Sequence, residues 1–143
     1  FQQMAGMECN PVSVELTYGL ERISMFVQKK NSVFDLIWNN DGVTYKDVFL
    51  DSEKQFSAYN FEFANTDSLF IIFDLAEKEC HMLNEKKLAL PAYDQCLKAS
   101  HVFNLLDSRG KISVAERANY ISRVRDMAKN SGKVWLETMI QNG

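Results

Sequence analysis

The sequence predicts an α+β fold that is mostly α. Two observations lead there. The first residues read as extended chain broken by glycine, and from Leu20 onward apolar residues recur mostly at helical spacing. Composition agrees: 143 residues, 46% hydrophobic, with only Pro11 and Pro91 as helix breakers of that kind. A chain near ~150 residues buries roughly two thirds of its unfolded surface, enough for a core without staples. The expected layout is the remnant of a sheet within residues 1–65, followed by a helical bundle over residues 66–143.

Taken in order, the stretch to Val12 reads as extended, interrupted by Gly6 and ended near Pro11. Residues 14–18 alternate, so a strand there would carry Glu15 and Thr17 on one face and Val14, Leu16 and Tyr18 on the other. Gly19 ends that strand. Leu20, Ile23, Phe26 and Val27 then start a helix with Glu21 and Arg22 in its first turn. Ser32 with Asp35 reads as a helix cap before Phe34, Leu36, Ile37 and Trp38. Residues 39–42 form a turn, and the aromatic-rich segment to Ala64 is helical over its second half.

Thr66-Asp67 caps a clearer helix with the stripe Leu69, Phe70, Phe73, Ala76, Cys80 and Leu83. Pro91 suits the first turn of the next helix, whose inward positions are Tyr93, Cys96, Leu97, Ser100, Phe103 and Leu106. That helix stops by Gly110. Ser113-Val114-Ala115-Glu116 is a capping box. It opens a last helix to about Met139 on Val114, Ala118, Ile121, Ala128 and Trp135, and an antiparallel bundle results.

Several chemistries are excluded. No Gly-rich phosphate loop, Gly-x-Ser-x-Gly elbow or Cys-x-x-Cys pair occurs. Cys9, Cys80 and Cys96 lack metal-ligand spacing, so neither zinc nor haem is expected. Cys80 and Cys96 fall on apolar stripes and read as core, and His81 and His101 stand without a partner motif. Three widely spaced cysteines point to a reducing, cytoplasmic setting rather than a disulfide scaffold. The apolar run from Leu69 to Phe73 is far below the ~20 residues that span a bilayer, so no membrane is expected. The start carries no basic n-region and no initiator Met, and the chain reads as a fragment.

The net charge is −3. Acids predominate in the first half, and between Arg109 and Lys133 seven basic residues face only Glu116 and Asp126. Such a stretch is either a solvated helix face or an attractor for phosphate.

The segment with chemical shape runs from Glu8 to Arg22. Glu8, Glu15 and Glu21 surround one arginine in a compact strand–turn–helix. An acid at position 15, in an otherwise uncharged run, is costly unless it meets a cation, a metal or donors. Arg22 lies at a helix start, where the macrodipole disfavours a cation, so an anionic partner is implied. That partner is Glu21, another internal carboxylate, or a polyphosphate. Arginine presents a fork that matches phosphate oxygens, and Gly19 lets the backbone approach a ligand.

Val14-Glu15-Leu16-Thr17-Tyr18-Gly19-Leu20-Glu21-Arg22-Ile23 resembles motif 3 of class II aminoacyl-tRNA synthetases. Phe1-Gln2-Gln3, Glu8-Cys9, Pro11-Val12, Tyr59-Asn60-Phe61-Glu62, Leu90-Pro91-Ala92-Tyr93, Phe103-Asn104-Leu105-Leu106-Asp107 and Ser113-Val114-Ala115-Glu116-Arg117 widen the likeness. Together they are similar to the α subunit of bacterial tetrameric glycyl-tRNA synthetase, over its C-terminal half. The family's motifs 1 and 2 are not in the chain, so these residues alone are not expected to catalyse the reaction.

The resemblance implies an antiparallel-sheet catalytic core followed by a helical domain. It implies activation of glycine by ATP, with Mg²⁺, to glycyl-adenylate, and transfer of the glycyl group to the 3′ end of tRNA. Arg22 matches the motif 3 arginine and would hold ATP phosphates, with Gly19 beside it. Glu15 would pair with the glycine ammonium. Glu8 would share that task or help hold Mg²⁺, and Gln3 and Thr17 would hydrogen-bond the substrate. Glu21 reads as a structural partner of Arg22 or of the helix start. The implied partners are the β subunit, a second α subunit in an α2β2 assembly, and tRNA(Gly).

Two further surfaces are open to more than one reading. Tyr59, Phe61 and Phe63 with Glu62 are packing under the sheet or a partner surface, packing being favoured. The basic face of the last helix (Arg117, Arg123, Arg125, Lys129) meets the β subunit or tRNA, the β subunit being ranked first. The competing reading of the whole chain is a non-catalytic helical module that binds RNA or protein.

Overall fold

The computed structural model describes residues 1–141. The chain divides into two compact units, residues 1–13 with 64–143, and residues 14–63. The α+β, mostly α expectation holds.

In the first unit, β1 (Gln3–Met4) pairs antiparallel with β2 (Met7–Glu8), Gln3 opposite Glu8 and Met4 opposite Met7. The connecting Ala5 and Gly6 both have positive φ, 47° and 80°. That is the pattern of a two-residue turn whose twist matches the paired strands, and it explains a glycine at position 6. The Cys9 amide donates to the Gln2 carbonyl at 2.8 Å and extends the ladder by one bond.

Three helices make the rest of this unit: α3 (Thr66–Glu85), α4 (Ala89–Ser108) and α5 (Val114–Gln141). Connections this short force neighbours to run antiparallel. The cross-links agree: Asp74 and Glu77 meet Arg123, Asn84 meets Ser131 and Lys87 meets Glu137, so α3 and α5 run the same way with α4 reversed. Asn65, not Thr66, caps α3: its side chain accepts from the Ser68 amide at 2.9 Å. The Ser113 box forms as expected, with Ser113 Oγ accepting from the Glu116 amide and the Glu116 carboxylate accepting from the Ser113 amide. The Ser113 hydroxyl, donating to the same carboxylate at 2.6 Å, and then the Ser113 amide hold the Glu116 carboxyl below its ordinary range.

The core contains Leu69, Phe73, Ala76 and Cys80 of α3, Cys96, Phe103 and Leu106 of α4, and Met127 of α5. Burying the Leu, Phe and Met side chains among these contributes about 1.5–3 kcal/mol each. The α3 stripe is the expected one. On α4 it holds only for Cys96, Phe103 and Leu106: Tyr93 and Leu97 are exposed, while Ala92 and Ala99 are completely buried. Small side chains let α4 lie close to both neighbours, and the larger ones are turned outward. On α5, Val114 and Trp135 likewise face outward, and the inward stripe is Met127, Ser131 and Val134 with Tyr120, Ile121 and Val124 at its edge. Cys80 and Cys96 are core as expected, and burial pushes the Cys96 thiol up to about 11.

In the second unit, residues 14–18 are not a strand. Among the described residues no strand pairs with them, and Val14, Leu16 and Tyr18 are 83%, 80% and 73% exposed. Alternation specifies a strand only where a neighbour accepts its hydrogen bonds and covers one face. α1 (Leu20–Val27) follows as expected. Ser32 caps only a single 3-10 turn, Val33–Asp35, because Leu36 leaves helical dihedrals at ψ 133°. Trp38 and Val43 then bracket a tight turn, with the Asn39 carbonyl of the side chain accepting from the amides of Asp41 and Val43. α2 (Tyr45–Ala58) opens on a capping box of Thr44 and Asp47 and runs into a π-helical turn, Tyr59–Phe63. Phe34, Trp38, Tyr45 and Phe49 form a ring cluster, with centroids 4.5–6.2 Å apart, in the same unit as the buried Leu36.

Candidate functional site

The residues singled out by sequence fall in different units. Gln3 and Glu8 lie on the hairpin of the first, and Glu15, Thr17, Gly19 and Arg22 in the second. Being register partners, Gln3 and Glu8 have side chains on one face of the hairpin, and both are exposed. In extended chain the side chains at i and i+2 point the same way. Thr17 and Glu15 obey this, and the Thr17 hydroxyl donates to the Glu15 carboxylate.

Gly19 is the N-cap of α1 with φ −77° and ψ 103°. Nothing in that backbone needs a glycine, and a Cβ would touch only the Arg22 Cβ, at an ordinary 3.8 Å. The folded unit therefore does not account for this glycine, whereas a ligand drawn against the backbone would. Gly19→Ser is expected to keep the melting temperature within about 2 °C, because serine caps a helix at least as well as glycine. If Gly19 lets ATP phosphates reach the backbone, the same change raises the KM for ATP in glycine-dependent ATP–pyrophosphate exchange by full-length α assembled with β, and a normal KM refutes that role.

α1 is fastened at both ends through one face. Glu21 accepts from the Tyr45 hydroxyl at 3.5 Å. Gln28, two turns later, donates to the Ile37 carbonyl at 3.1 Å and accepts from the Ile37 amide at 2.7 Å. Burial first, then the charges of Glu21 and Glu53, raises the pKa of the Tyr45 phenol. Glu21 is thus the partner of Tyr45 rather than of Arg22, and as an acid in the first turn it also suits the helix dipole. Arg22, one residue and ~100° further round the helix, is turned away from that face. It is exposed, and among the described residues it makes no hydrogen bond or ion pair. The anchors Gln28 and Tyr45 were not singled out by sequence; the i, i+7 spacing of Glu21 and Gln28 was the available signal.

Two of the four residues of the α5 basic face, Arg117 and Arg123, are engaged by the chain itself. The Arg117 Nε donates to Asp107 at 3.0 Å, and Arg123 to Glu77 and Asp74. Arg123 and Arg117 are therefore internal partners rather than an open phosphate-binding row. Tyr59, Phe61 and Phe63 are exposed, not packed as favoured from sequence. His81 and His101 are exposed on α3 and α4.

Residues 1–139 match the family model described as glycyl-tRNA synthetase alpha subunit. The chain belongs to that family. Membership carries an aminoacyl-tRNA synthetase role as ligase for glycine, and partnership with a beta subunit and a tRNA. Among the described residues no helix is long and apolar enough to cross a membrane.

Proposed function

We propose that this chain supplies the motif 3 part of a class II glycine–tRNA ligase, working in the cytoplasm within an α2β2 assembly on tRNA(Gly). The observation that supports the reading best is Arg22: an exposed guanidinium in the first turn of a fastened helix, with no carboxylate among the described residues claiming it. A cation set against its own helix dipole calls for an anion from outside, and ATP provides one.

In the reaction, a glycine carboxylate oxygen attacks the α-phosphorus of ATP. The bond from that phosphorus to the bridging oxygen breaks, and pyrophosphate leaves. A ribose hydroxyl at the tRNA 3′ end then attacks the glycyl carbonyl and AMP leaves. Such catalysis is mostly positioning and charge neutralisation. Arg22 holds the phosphates, with the Gly19 backbone close to them. Glu15, oriented by Thr17, pairs with the glycine ammonium. Among the described residues no group of three metal-type side chains is placed to hold an ion. Mg²⁺ would arrive with the ATP phosphates and keep several of its waters. Glycine has no side chain to grip, so selection rests on its two charged ends and on excluding bulk.

The test is Glu15→Gln in full-length α assembled with β. Loss of a charge-assisted bond of about 1.5–3 kcal/mol is expected to raise the KM for glycine roughly 10- to 100-fold. The KM for ATP should stay within about twofold of wild type. Equal losses for both substrates contradict the ammonium role of Glu15.

A further inference from the structure

Ile37 stands opposite Thr44 in an antiparallel bridge. The bridge is closed by the Trp38 amide, which donates to the Val43 carbonyl at 2.7 Å, and by the Tyr45 amide, which donates to the Leu36 carbonyl at 2.8 Å. Bonds that flank a pair in this way leave the amide and carbonyl of Ile37 itself facing the outer edge. The Gln28 carboxamide closes that edge, donating to the Ile37 carbonyl at 3.1 Å and accepting from the Ile37 amide at 2.7 Å. A carboxamide holds its donor and acceptor in one plane, as a peptide does, so this side chain stands in for the peptide of a third strand.

Gln28 is also the C-cap of α1. The helix is stopped there by a Schellman arrangement: the Lys29 amide donates to the Phe26 carbonyl at 3.2 Å and the Lys30 amide to the Met25 carbonyl at 2.9 Å. Lys29 takes the left-handed conformation that this needs, with φ 53°. None of the eight α1 side chains is buried, so packing within the unit does not fix the direction of the helix. Its polar fastenings do: Gln28 on Ile37, and Glu21 on the hydroxyl of Tyr45. Ile37 and Tyr45 belong to the same bridged turn, so both fastenings stand on one platform.

We propose that Gln28 is a positioning residue for the ATP step: by docking the end of α1 on the Ile37 peptide, it fixes where Arg22 presents its guanidinium. The inference rests on the reading of Arg22 given above. All the residues that it uses lie in the unit of residues 14–63. Arg22 lies six residues before Gln28, about 9 Å along the helix axis, so a tilt of roughly 6° at the cap moves it by ~1 Å.

Gln28→Ala in full-length α assembled with β, alone and combined with Arg22→Ala, provides the test. Misplacement by ~1 Å costs up to about 100-fold, so Gln28→Ala is expected to lower kcat/KM for ATP in ATP–pyrophosphate exchange roughly 10- to 100-fold. The KM for glycine should stay within about twofold. In the Arg22→Ala background the same change should cost less than about twofold more, because the group that Gln28 aims is gone. A purely structural role predicts the same loss in both backgrounds. Tyr45→Phe removes only the hydroxyl of the other fastening and should lower kcat/KM for ATP roughly 3- to 10-fold, again only while Arg22 is present. A kcat/KM for ATP within about twofold of wild type in Gln28→Ala, or equal losses in the two backgrounds, overturns the inference. Should Gln28→Ala not fold, Tyr45→Phe decides by the same two criteria. Arg22→Ala alone separates the two levels. If it exchanges normally, the reading of Arg22 fails and the role of Gln28 goes with it. If it is slowed while Gln28→Ala is not, only the positioning fails.

Discussion

Replacing Arg22 by alanine in full-length α, assembled with β, is expected to lower glycine-dependent ATP–pyrophosphate exchange by about 10²–10³-fold, the range seen when one preorganised donor to developing charge is lost. The same change should leave the fold untouched. Arg22 is exposed and, among the described residues, makes no hydrogen bond or ion pair, so its removal should shift stability by no more than about 0.5 kcal/mol. Relieving a cation at a helix N-terminus even favours α1 slightly. That separation matters, because lost activity with an unchanged melting temperature has no structural explanation. Arg22→Lys should recover only part of the rate, since an ammonium keeps the charge but not the two-pronged geometry. Normal exchange by Arg22→Ala would instead favour a non-catalytic helical module that keeps only the motif.

What could be read from the sequence depended on whether the signal was local. α3 and the Ser113–Glu116 box follow from side-chain spacing within a few residues, and both appear at their expected places, α3 one cap residue early. The strand expected at residues 14–18 failed because strand formation depends on a neighbour that alternation cannot supply. The inward face of α4 holds only in part, for a related reason. Cys96, Phe103 and Leu106 are buried as expected, but close packing against the neighbouring helices also buries Ala92 and Ala99 completely and leaves Tyr93 and Leu97 turned out, so size alone does not mark burial. In the site, motif 3 marked Arg22 and Glu15 by residue type. It could not tell that Glu21 turns to Tyr45, 24 positions away, and so leaves Arg22 unclaimed.

Arg123 shows how charge count misleads when geometry is unknown, and its replacement should have the largest effect on stability. Its Nε donates to both Glu77 carboxylate oxygens, at 2.9 and 3.1 Å, and its Nη2 to Asp74 at 2.6 Å and to Glu77. The guanidinium also lies 4.5 Å from the centre of the Phe73 ring and 5.1 Å from that of Tyr120. Hydrogen bonds donated to Glu77, opposed by burial and helped by the bond to Asp74, raise its pKa above the ordinary guanidinium value, so it is charged at every accessible pH. The side chains of Arg123 and Glu77 are only 25% and 20% exposed. Arg123→Ala therefore strands the Glu77 carboxylate in a poorly hydrated place and removes the cation from two rings. The expected loss is about 2–4 kcal/mol, below the full cost of breaking a completely buried pair. For a chain of this length that lowers the melting temperature by roughly 6–15 °C. Adding Glu77→Gln should recover part of the loss, because the stranded charge goes with it. If the residue served instead to dock the β subunit or tRNA, Arg123→Ala would weaken assembly or tRNA affinity at an unchanged melting temperature, and thermal unfolding beside an assembly assay decides between them. Arg125, exposed and one position beyond Val124, is the better place to probe docking, since no contact of its own among the described residues confuses the outcome.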